Sequence, residues 1–70
     1  MFKIQVNGKF IEIQENQSYF IEVEDRTFKG IIVENMVFVY DNRVFFYILT
    51  DEDNEEYQIV EDEIVSIKRL

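Results

Sequence analysis

Phe2-Lys3-Ile4-Gln5-Val6-Asn7-Gly8-Lys9-Phe10-Ile11-Glu12-Ile13 decides the fold. Apolar and polar residues alternate on both sides of Asn7-Gly8, the period of a strand with one buried face. Asn-Gly is the strongest short hairpin signal, because a type I′ turn needs positive φ at both central positions. A two-residue loop sets the register: Val6 opposite Lys9, Ile4 opposite Ile11, Phe2 opposite Ile13. Phe2, Ile4, Ile11 and Ile13 then share one face, and Lys3 meets Glu12 on the other. Turn chemistry and pattern agree, which predicts an N-terminal β-hairpin within residues 1–14.

The same alternation continues outward. Glu15-Asn16-Gln17-Ser18 is a polar connection, and Tyr19 to Val23 is a strand with Tyr19, Ile21 and Val23 on one face. Asp25-Arg26-Thr27 turns the chain into a strand from Phe28 to Glu34, with Gly30 inside it. A glycine in a strand interior marks a bulge or a sharp bend. Met36 to Tyr40 and Val44 to Leu49 flank Asp41-Asn42-Arg43 and form a second hairpin, with Phe38 facing Phe45 and Tyr40 facing Arg43. Its strands do not alternate: both faces are apolar, so either the hairpin is buried on both faces or one face meets another chain, with a second copy as the expected one. Glu56 to Val60 is a short strand, Glu61-Asp62-Glu63 a brief turn of 3₁₀ helix, and Ile64 to Leu70 the closing strand. The expectation is an all-β chain of seven or eight strands: a small antiparallel SH3-like barrel or sandwich with an N-terminal hairpin.

From Tyr19 onward the strand order resembles the small SH3-like and Sm-like barrels. The resemblance covers residues 19–70 and rests on four elements. They are the bent strand Phe28-Lys29-Gly30-Ile31-Ile32-Val33, the aromatic hairpin, Tyr57-Gln58-Ile59-Val60, and Asp62-Glu63-Ile64-Val65-Ser66-Ile67, a short turn into a closing strand. Sm-type RNA binding uses an Asp-x-x-x-Asn pattern after the bent strand and a basic, glycine-containing loop before the last one. Here the first is not at matching spacing, and Glu61-Asp62-Glu63 stands in place of the second. The resemblance implies an oligomer-forming small barrel and does not carry RNA binding.

Seventy residues make a single domain, near the lower size for independent folding. Absence of cysteine removes disulfides and thiolate metal sites, and absence of histidine removes the commonest general base. No cofactor and no metal site are expected. The longest apolar run, Val44 to Leu49, is too short to span a bilayer, and Lys3, Gln5 and Asn7 interrupt any apolar leader segment. A cytoplasmic, reducing setting without membrane contact is the expectation.

Charge supplies the functional candidate. The formal net charge is −8, and Asp51 to Glu63 holds eight carboxylates with no base. These are Asp51, Glu52, Asp53, Glu55, Glu56, Glu61, Asp62 and Glu63, and together they account for the whole net charge. Such a surface repels phosphate backbones and favours a basic partner. Carboxylates alternating along a strand stand about 6.6 Å apart, comparable to phosphates along a nucleic-acid strand. In charge and size the chain is similar to small acidic phage-encoded inhibitors that mimic nucleic acid. Asp51, Asp53 and Glu55 have the spacing that opens a calcium loop, but Glu56 stands where that loop needs glycine and Asp62 where it needs a bidentate glutamate. Ser18, Thr27, Thr50 and Ser66 are hydroxyls with no histidine to activate them, so an enzyme is not expected.

Three readings follow. The first is a non-enzymatic module that binds or inhibits a basic nucleic-acid-binding protein through the acidic 51–63 edge. The second is a homo-oligomer, a dimer foremost, associating through Phe38, Tyr40, Phe45, Phe46 and Tyr47 and holding a nucleotide-sized ligand between subunits. The third is a structural accessory protein without a ligand.

Overall fold

The computed structural model describes residues 1–70. Its elements are β1 (Phe2–Val6), β2 (Lys9–Ile13), β3 (Ser18–Val23), β4 (Thr27–Ile32), β5 (Phe38–Tyr40), β6 (Arg43–Thr50), β7 (Glu56–Val60), a 3₁₀ turn (Glu61–Glu63) and β8 (Ile64–Arg69). The chain is all-β, and every strand pairing is antiparallel. β1 and β2 form a separate ribbon, and the other six strands form one sheet in the order β5-β6-β4-β3-β8, with β7 also paired to β6.

The turns explain the strand boundaries. The chain has five asparagines, and all five (Asn7, Asn16, Asn35, Asn42 and Asn54) adopt positive φ, as does Asp41. Asparagine tolerates this conformation because its short side chain hydrogen-bonds locally. Asn7-Gly8 closes the first hairpin in the register expected from sequence, Ile4 opposite Ile11 and Phe2 opposite Ile13. Asp41-Asn42 closes the second, with Phe38 opposite Phe45 and Tyr40 opposite Arg43. Asn35, at φ 64, stops the run that begins at Phe28. The expected strands Phe28–Glu34 and Met36–Tyr40 therefore shorten to Thr27–Ile32 and Phe38–Tyr40.

Gly30 is a point of close approach. A Cβ built there would lie 2.0 Å from the carbonyl oxygen of Leu49 and 2.8 Å from the Cα of Thr50. Both are backbone atoms that cannot swing aside, so β4 and β6 meet at a spacing only glycine permits.

Ribbon and sheet face each other across one core. Ile4, Val6 and Ile13 from the ribbon join Tyr19, Ile21, Phe28, Ile32, Phe46, Ile48, Ile59 and Ile64 from the sheet. Phe2 reaches across to Phe46, with ring centroids 5.4 Å apart. Phe46 is fully buried at 0 % exposure, which corrects its place among the self-association residues: its phase on β6 points it inward with Ile48 and Thr50. Phe45 and Tyr47 point the other way and are half-buried. Burying hydrocarbon of this kind contributes about 25 cal/mol per Å². No helix is long and apolar enough to cross a membrane.

Candidate functional site

The acidic block does not form one surface. β7 separates it into two groups, and a five-residue strand is about 16 Å long. The first group, Asp51 to Glu55, is the β6–β7 turn. It borders a depression shared with Arg26, Thr27, Phe28 and Lys29, so bases sit beside its acids. Arg26 itself lies over two rings, 4.4 Å from the centroid of Phe28 and 4.7 Å from that of Tyr57. Asp53 is exposed but bonded to its own turn: its carboxylate accepts hydrogen bonds from the Thr50 hydroxyl, the Tyr57 hydroxyl and the Glu55 amide. The Thr50 bond, then the Tyr57 bond, holds the Asp53 pKa below the usual carboxylate range. The same bond raises Tyr57 above the ordinary phenol value, since it favours a charged carboxylate and a neutral hydroxyl. Glu15 is also lowered, first by the α-ammonium of Met1 at 2.6 Å and then by the Asn35 amide.

The second group starts with an internal tie. Glu61 is half-buried, and its two carboxylate oxygens accept from the Gln5 amide at 2.7 Å and the Val44 amide at 3.0 Å. The turns explain why those amides are free. A two-residue loop makes its flanking pair exchange both hydrogen bonds, so the next pair directs its amides outward. Those next pairs are Gln5 with Phe10 in one hairpin and Val44 with Val39 in the other. One glutamate thus pins the ribbon and the sheet together at matching positions of two hairpins. Asp62 pairs with Arg43 at 3.3 Å on the surface.

Asp62 and Glu63 also belong to an acidic groove that crosses sequence boundaries. Glu24 and Asp25, from the β3–β4 turn, join Asp62 and Glu63 around a groove also lined by Asn7, Val23, Ile64 and Val65. No lysine or arginine lines it. β8 pairs with the end of β3, Ile64 opposite Val23, and this pairing carries the 3₁₀ turn to the β3–β4 turn. Sequence reasoning missed Glu24 and Asp25, because a two-residue acidic pair is unremarkable until a distant pair is laid beside it. Glu52, Glu55 and Glu56 are exposed at the far end of β7. Nowhere do three carboxylates converge as ligands for a metal ion.

The aromatic hairpin is the other candidate. Phe38 stacks on Phe45 with centroids 5.0 Å apart and planes 3° apart, Tyr40 meets the same ring edge-on at 6.5 Å, and the Arg43 guanidinium lies 5.3 Å from it. Phe45 is therefore already engaged by neighbours from its own hairpin. All three residues of β5 are exposed. No protein-family model, curated protein or solved structure matches the chain.

Proposed function

We propose that the protein is a non-enzymatic interaction module that binds a basic surface, of the kind nucleic-acid-binding proteins present, through the groove of Glu24, Asp25, Asp62 and Glu63. One observation carries this reading: two acidic pairs nearly forty residues apart line one groove, and of its four carboxylates only Asp62 has a basic partner, Arg43. Clustered charge of one sign in a concave site concentrates the field more than the same charges dispersed. The 51–55 half of the acidic block contributes less, because Arg26 and Lys29 lie beside it and Asp53 is bonded internally. Inhibition of the partner, by occupying its nucleic-acid site, belongs to the same proposal. So does the SH3-like assignment, which the order β7-β6-β4-β3-β8 and the 3₁₀ turn before β8 support. The nucleotide-ligand alternative is weakened by the engagement of Phe45.

Titration with a lysine-rich peptide tests the reading. The triple variant Glu24→Lys, Asp25→Lys, Glu63→Lys should lose at least about tenfold in affinity, and binding by the unaltered protein should weaken as salt shortens the Debye length to about 8 Å. The variant Glu52→Lys, Glu56→Lys should stay within about twofold. Equal losses in the two variants would mean that bulk charge, not the groove, attracts the peptide.

A further inference from the structure

We infer that β5 is the pairing edge of a homodimer, with two copies joined antiparallel across a two-fold axis at Val39. β5 is the end strand of its sheet and hydrogen-bonds only to β6. Tyr40 and Arg43 flank the two-residue turn and exchange both hydrogen bonds, so the Val39–Val44 pair directs its main-chain groups outward. The Val44 amide takes the Glu61 carboxylate. Val39 points its amide and carbonyl the other way, off the open edge.

The strand has few of the devices that keep an edge from pairing. Natural edges carry charge, proline, a bulge or a cover, or are kept short. Asn35-Met36-Val37-Phe38-Val39-Tyr40 has no charge and no proline, in a chain of net charge −8. Only shortness applies here. Phe38, Val39 and Tyr40 are 44 %, 69 % and 69 % exposed.

Two features select a second copy as the occupant. First, β5 has three residues with the outward-directed one in the middle. A two-fold axis through Val39 lets each Val39 exchange both main-chain bonds with its counterpart, and it sets Phe38 opposite Tyr40 of the partner subunit on one face. The surface is thus complementary to itself, which an isologous contact requires. Second, two copies of an acidic protein repel wherever their charges meet, and this uncharged stretch is where they can touch. A basic partner would find no counter-charge on it.

Sedimentation equilibrium across a wide concentration range tests the inference. The unaltered protein should dimerise, and more tightly as salt screens the repulsion between copies, the reverse of the salt dependence expected for the acidic groove. Val39→Pro removes the outward amide and leaves the β5–β6 bonds intact, since proline is tolerated at solvent-facing edge positions. It should raise the dissociation constant at least about tenfold, the loss of two main-chain hydrogen bonds. Val39→Glu, which sets two like charges against each other on the axis, should act in the same direction. Amide exchange at Val39 should slow as concentration rises. A protein that stays monomeric at millimolar concentration overturns the inference, and the edge would then await a strand from a different chain. A dimer equally tight in the Val39→Glu variant, or with a fast-exchanging Val39 amide, overturns it as well.

Discussion

Replacing Glu61 by alanine should destabilise the protein, although it removes one charge from an overcharged molecule. If the acids of the block only repelled one another, each deletion would be neutral or mildly stabilising. Glu61 differs because its carboxylate holds two amides on two different layers. A hydrogen bond to a charged group is worth about 1.5–3 kcal/mol when shielded, and less where water can replace it. The Val44 bond is partly buried and the Gln5 bond is exposed, so the pair together is worth about 2 kcal/mol. A domain of this length is stable by about 4–10 kcal/mol, and a loss of that size lowers Tm by about 10 °C. Thermal and urea unfolding measure the loss, and amide exchange at Gln5 and Val44 locates it. Glu61→Gln keeps one acceptor and should lose roughly half as much. Glu52→Ala and Glu56→Ala should shift Tm by no more than about 2 °C, because neither side chain holds a partner. A Glu61→Ala protein as stable as these controls would refute the argument, and Glu61 would then be one more surface acid.

Two further outcomes are expected. Gly30→Ala should cost about 3 kcal/mol or more, or prevent folding, because its Cβ meets the Leu49 carbonyl at 2.0 Å and no side-chain rotation relieves the contact; urea titration reads the loss. Acid should destabilise the protein through Asp53 and Glu15, whose folded pKa values lie below their unfolded ones. Their contribution is complete above the unfolded values and is lost as pH falls through the folded ones; unfolding followed between neutral pH and pH 2 should show a shallower acid limb in Asp53→Asn.

The fold was legible wherever a local signal fixed both the turn and the face. Asn7-Gly8 did so for the first hairpin, where alternation named the buried side and the register followed. Asp41-Asn42 fixed the register of the second hairpin but not its face. Val44 to Leu49 is apolar at every position, so the sequence could not say whether Phe45 or Phe46 points inward. Packing against Phe2 and Ile59 decides that, and both lie far off in the chain. The break at Asn35 was placed by the two runs that flank it, but not its extent, since β4 ends at Ile32 and β5 begins only at Phe38. The site was less legible, because charge counted along the chain ignores topology. It grouped Asp53 and Glu61 with the unbonded surface acids, although the carboxylates of both are taken up by hydrogen bonds within the chain. It overlooked Glu24 and Asp25, which only the β3–β8 pairing brings beside Glu63.

The ribbon of β1 and β2 packs against residues made more than forty positions later, which orders events during synthesis. A hairpin closes in about 1–10 μs, whereas translation proceeds at about 5–20 residues per second. Ile59, Glu61 and Ile64 therefore arrive about 2–10 s after the ribbon has been made. Through that interval an isolated two-stranded ribbon is marginal in water, and it forms and melts many times with Ile4 and Ile13 exposed. The nascent chain is thus a string of transient hairpins, and the native core closes only once β7, the 3₁₀ turn and β8 have cleared the ribosome. A stop codon placed just before Glu61 would release a chain with most of its strands, but without the Glu61 tie or the closing strand.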